Sequence, residues 1–147
     1  MARAHKKQHG FTVLEMLVVL FIVQIIAFSV IVNLRPLMDY YRMTTFLRQL
    51  QVDTFYVQQV AMTNEVPVKI VFHPEQSEYV ILRLGKTLSK RKYDDGLTIL
   101  FGSGLTSIQY NEKGNISQPK SMFISNSKVT YKVTFQIGRG RFYVQEL

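Results

Sequence analysis

The 147-residue chain contains no cysteine and no tryptophan. Without thiols it has no disulfides, no thiol nucleophile and no Cys-ligated metal. An exported domain of this composition must be held by its own core, to which contacts with other chains can add. Histidine is nearly as scarce. His5 and His9 lie in the first ten residues and His73 stands alone, so no cluster is spaced for a metal and no cofactor is implied. Gly102-Ser103-Gly104 lacks the rest of a nucleotide or nucleophile motif. No catalytic constellation is present, and an enzyme is not expected. Acids are also few, with 10 Asp+Glu against 18 Lys+Arg and a formal charge of +8. That balance favours anionic partners such as nucleic acid, acidic lipid or wall polymers. Arg3, Lys6 and Lys7 supply part of it from the N-terminal segment, so loss of that segment would weaken the basic character without removing it.

What the chain has in abundance is apolar sequence in one place. Residues 11–34 read FTVLEMLVVLFIVQIIAFSVIVNL, with Glu15 the only charge. A helix of that length spans about 36 Å, against about 30 Å for a bilayer's hydrocarbon core. A secretory signal peptide would be shorter and would end in small residues at a cleavage site. Here the glycine comes first, so cleavage is expected after Gly10, and the apolar run would remain on the mature chain. The lysines and arginines flanking the run tie, with Arg3, Lys6 and Lys7 before it and Arg35, Arg42 and Arg48 after it. The short, acid-free leader supports a cytoplasmic N-terminus. A carboxylate in such a run is costly and is a functional candidate by default. If Phe11 becomes the N-terminus, Glu15 lies one helical turn below it and can pair with an α-amino group, its own or a neighbour's. The plainer alternative is a glutamate at headgroup level, where the helix dipole favours negative charge.

His9-Gly10-Phe11-Thr12-Val13-Leu14-Glu15, behind a basic leader and before an unbroken apolar helix, resembles the class III leader junction of type IV pilins and pseudopilins. The resemblance implies that a prepilin peptidase cuts after Gly10 and methylates Phe11, and that Glu15 assists assembly. It also implies a cell-membrane precursor that reaches the cell surface once assembled with other major and minor pilins.

The remaining sequence fits that layout. Pro36 is expected to kink or interrupt the helix. Residues 37–63 read as an amphipathic helix with Met43, Phe46, Leu47, Leu50, Val57 and Ala61 on one face. Arg42, Arg48, Gln49, Asp53 and Gln59 fall mostly elsewhere. Past Asn64 the period changes to two. Strands are predicted at residues 66–73, 78–84, 97–101, 105–110, 122–125, 128–137 and 142–145, with turns at 74–77 and 111–115 and a basic loop at 85–96. The expected fold is α+β and pilin-like: a leader (1–10), a transmembrane helix (11–34), an amphipathic stalk helix (35–63) and an antiparallel β head (64–147). The size, the missing cysteines, the NEKG turn and the final strand–G-x-G–strand most resemble minor pseudopilins of the GspH/FimT type, including those of competence machinery.

Two basic clusters are candidate DNA contacts. Lys90, Arg91 and Lys92, with Lys86 and Tyr93 nearby, combine charge with an aromatic ring, but Asp94 and Asp95 follow and cut the local potential, so a solvated loop is the stronger reading of these residues. Arg139 and Arg141 sit in GRGR, where glycine permits close approach and guanidinium forks suit phosphate. This resembles a G-R-x-R element of FimT-like minor pilins, although glycine also belongs in any hairpin turn. The leading expectation is a minor pseudopilin of a competence pilus, with DNA as a candidate partner. A type II secretion pseudopilin and an anchored sensor or wall-binding β domain are the alternatives.

Overall fold

The computed structural model describes residues 12–102, 104, 106–136 and 142–147; for 32–36 it gives the backbone course alone. The chain falls into two units, Met1–Met38 and Asp39–Leu147. One helix, α1, is assigned from Val13 to Asn64. Thr12 caps it: its Oγ1 accepts the Glu15 N–H at 3.2 Å, and its carbonyl accepts the Met16 N–H at 3.2 Å. Thr-x-x-Glu at this position is the spacing of a capping box. The helical backbone continues through Pro36, so the expected interruption does not occur. A proline inside a helix costs about 3 kcal/mol through one lost N–H and a steric clash. Long helix-forming runs on both sides absorb that cost, because propagation is far easier than nucleation.

Termination is explicit. Glu65 adopts a left-handed conformation (φ 52°), and the Val66 N–H returns to the Ala61 carbonyl at 3.3 Å. That is a Schellman closure, and Pro67 prevents further helix. Asn64 adds a second lock: its Nδ2 donates to the Val60 carbonyl, and its Oδ1 accepts from Arg83 at 2.8 Å.

Eight strands follow: β1 (Val68–His73), β2 (Glu78–Arg83), β3 (Lys86–Lys92), β4 (Thr98–Phe101), β5 (Ser107–Tyr110), β6 (Lys120–Ser125), β7 (Thr130–Phe135) and β8 (Phe142–Glu146). They form two four-stranded antiparallel sheets, ordered β3-β2-β1-β5 and β4-β6-β7-β8. The basic loop expected at 85–96 is therefore corrected: most of it is β3. Leu84 and Gly85 both have positive φ, 49° and 79°, which makes the two-residue turn that pairs Arg83 with Lys86. β3 is an edge strand, so its lysines face water and blunt the open edge, and hydrophobic alternation is lost.

The head's core is one continuous cluster. α1 contributes Met43, Phe46, Leu50, Val57 and Ala61; the first sheet adds Val68, Ile70, Phe72, Tyr79, Ile81, Ile108 and Tyr110; the second adds Ile99, Met122, Ile124, Val133 and Phe135. Phe72 and Phe101, with centroids 5.3 Å apart, join the two sheets.

The turn at 111–115 closes tightly against α1. Asn111 Oδ1 accepts the N–H groups of Lys113 and Asn115 at 3.0 Å, and the Gly114 N–H returns to the Asn111 carbonyl at 2.9 Å. Gly114 has φ 71°, and a Cβ there would lie 2.8 Å from Met62 Cγ. The positive φ favours glycine, and an added Cβ would force the Met62 and Gln58 side chains to move. Gly114→Ala should destabilise the head by about 1–3 kcal/mol, the range for overpacking, measured by urea unfolding of a fragment starting at Asp39. Unchanged stability would show that the turn does not bear on the helix.

Candidate functional site

At the N-terminal end, side chains 12–31 are exposed on every side, and Val13–Ile31 is long and apolar enough to cross a membrane. Glu15 is the third residue of α1. The Thr12 hydroxyl secures its backbone, and the helix start places positive potential beside its carboxylate. Gly10 and Phe11 lie outside the described residues, as do Arg139 and Arg141, which fall between β7 and β8.

The basic strand is more constrained than its sequence suggests. The Lys90 ammonium contacts Glu78 at 2.7 Å, and the Arg91 Nε contacts Asp53 at 3.3 Å. Both carboxylates are buried, with side chains 5% and 3% exposed, whereas Lys90 and Arg91 are 55% and 46% exposed. Two of the three candidate cations therefore serve the fold by neutralising carboxylates that would be costly to bury alone. Lys92 is exposed, opposite Glu78 in the register. Tyr93 is no stacking platform: its ring packs edge-on against Phe46 at 5.2 Å. Beyond it, Asp94 pairs with Arg42 of α1 at 3.2 Å.

Asp53 is the polar residue that the helical-face reading misplaced. It stands three residues after Leu50 and four before Val57, on the buried stripe and not opposite it. There it accepts a 2.6 Å hydrogen bond from the Tyr79 hydroxyl in addition to the Arg91 contact. That spacing was the available signal, masked by the expectation that an aspartate faces water.

Burial, then the bond to Asp53, raises the Tyr79 pKa well above its ordinary value, while the Arg91 charge pulls it down. Burial also raises Tyr110, with the Thr54 hydroxyl acting in the lowering direction. An unfolded tyrosine titrates near about pH 10. Above that pH the folded chain holds more protons than the unfolded one, so this stabilisation is intact below about pH 10 and falls as pH rises. The decline above pH 10 should be shallower in Tyr79→Phe, read by denaturation at stepped pH; an identical slope would exclude Tyr79 as its source. Asp53→Ala, which strands the Tyr79 hydroxyl, should cost about 1–3 kcal/mol. Lys92→Ala should stay within about 0.5 kcal/mol, as surface substitutions do. Equal costs in the same urea assay would contradict the difference in roles.

Among the described residues no group of three or more His, Cys, Asp or Glu is placed to hold a metal ion. Residues 5–31 match the prokaryotic N-terminal methylation motif. Over 139 residues the chain is 31% identical to competence protein ComGD of Bacillus subtilis (strain 168), covering 95% of this chain and 94% of that protein. Its fold is similar to that of the type IV minor pilin FimU of Pseudomonas aeruginosa, with a TM-score of 0.60 and 13% identity over 73% of this chain and 90% of that one. It is also similar to the minor pseudopilin EpsH from the type 2 secretion system of Vibrio cholerae, with a TM-score of 0.57 and 12% identity over 70% of this chain and 95% of that one. With its methylation motif at the head of an apolar, membrane-anchoring helix, the chain belongs to the type IV pilin-like family of competence protein ComGD.

Proposed function

We propose that this protein is a minor pseudopilin of a competence pilus, required for filament assembly and for uptake of exogenous DNA. The observation that carries this reading is the near full-length identity to competence protein ComGD. The placement of Glu15, alone in charge on an otherwise apolar and exposed span, supports the assembly mechanism.

In this reading the precursor sits in the cell membrane with its N-terminus in the cytoplasm, and the prepilin peptidase cuts after Gly10 and methylates Phe11. The new amine then belongs to the residue four positions before Glu15. An unpaired carboxylate among lipid tails or packed apolar helices is strongly disfavoured. Pairing with an N-terminal amine offsets that cost, and pairing with a neighbour's amine makes the offset available only in the filament. The other major and minor pilins supply those neighbours, and an assembly ATPase drives extraction. Once assembled, the head is displayed at the cell surface.

Gly10→Ala should block cleavage. Glu15→Ala should leave cleavage intact and impair assembly, so that the processed subunit stays in the membrane fraction and transformation falls at least tenfold. Immunoblots of precursor and mature bands, the sheared filament fraction and transformation frequency check this. Normal filaments in Glu15→Ala would remove the assembly role. Intact transformation with lost protein export in a deletion strain would move the protein to a secretion system.

A further inference from the structure

Three exposed cations of the head pair with acids: Arg91 with Asp53, Lys90 with Glu78, and Arg42 with Asp94. The partly buried Arg83 donates instead to Asn64, and Lys120, the first residue of β6, is held by a backbone carbonyl. Its ammonium reaches across from the second sheet to donate to the Ser107 carbonyl on β5 of the first. No acid lies within salt-bridge distance of it among the described residues. Removal from water lowers its pKa, the penalty a nearby anion would relieve.

The surroundings of Lys120 form a hollow of about 280 Å³ lined by Ser107, Gln109, Ser117, Gln118 and Lys120. The lining residues are two serines, two glutamines and one lysine, with no acid among them. The backbone holds it in place: the Ser117 N–H bonds to the Gln109 carbonyl at 2.9 Å, and Tyr110 bridges to Ile116. Lys69 of β1 stands directly opposite Gln109 in the register, so on an antiparallel pair it shares Gln109's face. Lys69 is exposed and brings a second positive charge to the rim.

We infer that the hollow between the β5 edge and the start of β6 is an oxyanion site, and that it takes a phosphate group. Lys120 supplies the fixed charge, keeping two of its three N–H donors beyond the one spent on Ser107. The serine hydroxyls and glutamine amides supply neutral donors around the oxygens, and Lys69 closes from the rim. A carbonyl-anchored lysine explains the alignment of the ammonium, and the acid-free lining explains why an incoming anion meets no repulsion. The assignment stands on this geometry and does not depend on the proposed competence role. The phosphate could belong to a DNA strand or to another phosphorylated compound; the chemistry of capture is the same.

The test uses the full chain in neutral detergent micelles with isotope-labelled lysine side chains, titrated with inorganic phosphate and followed by NMR. The Lys120 Cε and Nζ signals should shift saturably, with a dissociation constant on the order of 1 mM. Exposed Lys86 and Lys113 should move much less. Lys120→Gln should weaken binding at least tenfold while leaving the melting profile unchanged, and Lys69→Gln should weaken it several-fold without touching the hollow's wall. Competition then identifies the source. If a short duplex DNA displaces phosphate from Lys120, the site takes DNA backbone. If phosphate binds and DNA does not compete, the site stands and its ligand is a different phosphate compound. Lys120 signals that move no more than those of Lys86, or wild-type affinity in both variants, would overturn the inference.

Discussion

The head depends on one stripe of α1 meeting two sheets at once. Met43, Phe46, Leu50, Val57 and Ala61 belong to the same buried cluster as residues of both sheets, and the sheets themselves touch through Phe72 and Phe101. Apolar burial of this kind is non-directional and does not by itself fix a helix in one register. The polar contacts supply direction. Asp53 on the stripe reaches Tyr79 and Arg91, Asn64 at the helix end reaches Arg83, and Arg42 reaches Asp94. Each ties α1 to the first sheet or to the loop that leaves it, and Gly114 holds the opposite turn within van der Waals reach of Met62.

The same helix starts under a different rule. From Val13 to Ile31 it presents apolar side chains in every direction, and all of them are exposed among the described residues. The one acid of that stretch, Glu15, stands in the first turn, where the dipole and the Thr12 cap tolerate a charge best. Tolerance at the helix start and a role in assembly are compatible. In the proposed assembly, a carboxylate that persists there is available to an amine arriving from a neighbouring subunit.

Much of the layout was legible in the sequence because two periods dominate it. VKIVFH and TYKVTF alternate cleanly and became β1 and β7; the apolar run and its Gly-Phe-Thr-x-x-Glu grammar marked the anchoring helix and the family. The misreadings share a physical cause. KTLSKRK is an edge strand whose charges blunt the open edge and, at Lys90 and Arg91, neutralise buried Glu78 and Asp53, which erases the hydrophobic alternation. Asp53 is a buried acid made tolerable by partners 26 and 38 residues away, and local pattern does not report such partners. The setting of Lys120 is hidden from the local pattern for a related reason: it is built by strands from two sheets. The division of the strands into two sheets is likewise a matter of long-range pairing, which alternation alone does not encode.

The central claim is that this chain is a processed pilin-type subunit whose first mature residue is Phe11. Mass spectrometry of the N-terminal peptide from membrane-extracted and filament-associated protein tests it most directly. The account predicts a chain beginning at Phe11 with one methyl group on its amine. A mature protein that retains Met1 and the basic leader would contradict it and would leave an anchored β domain in its place.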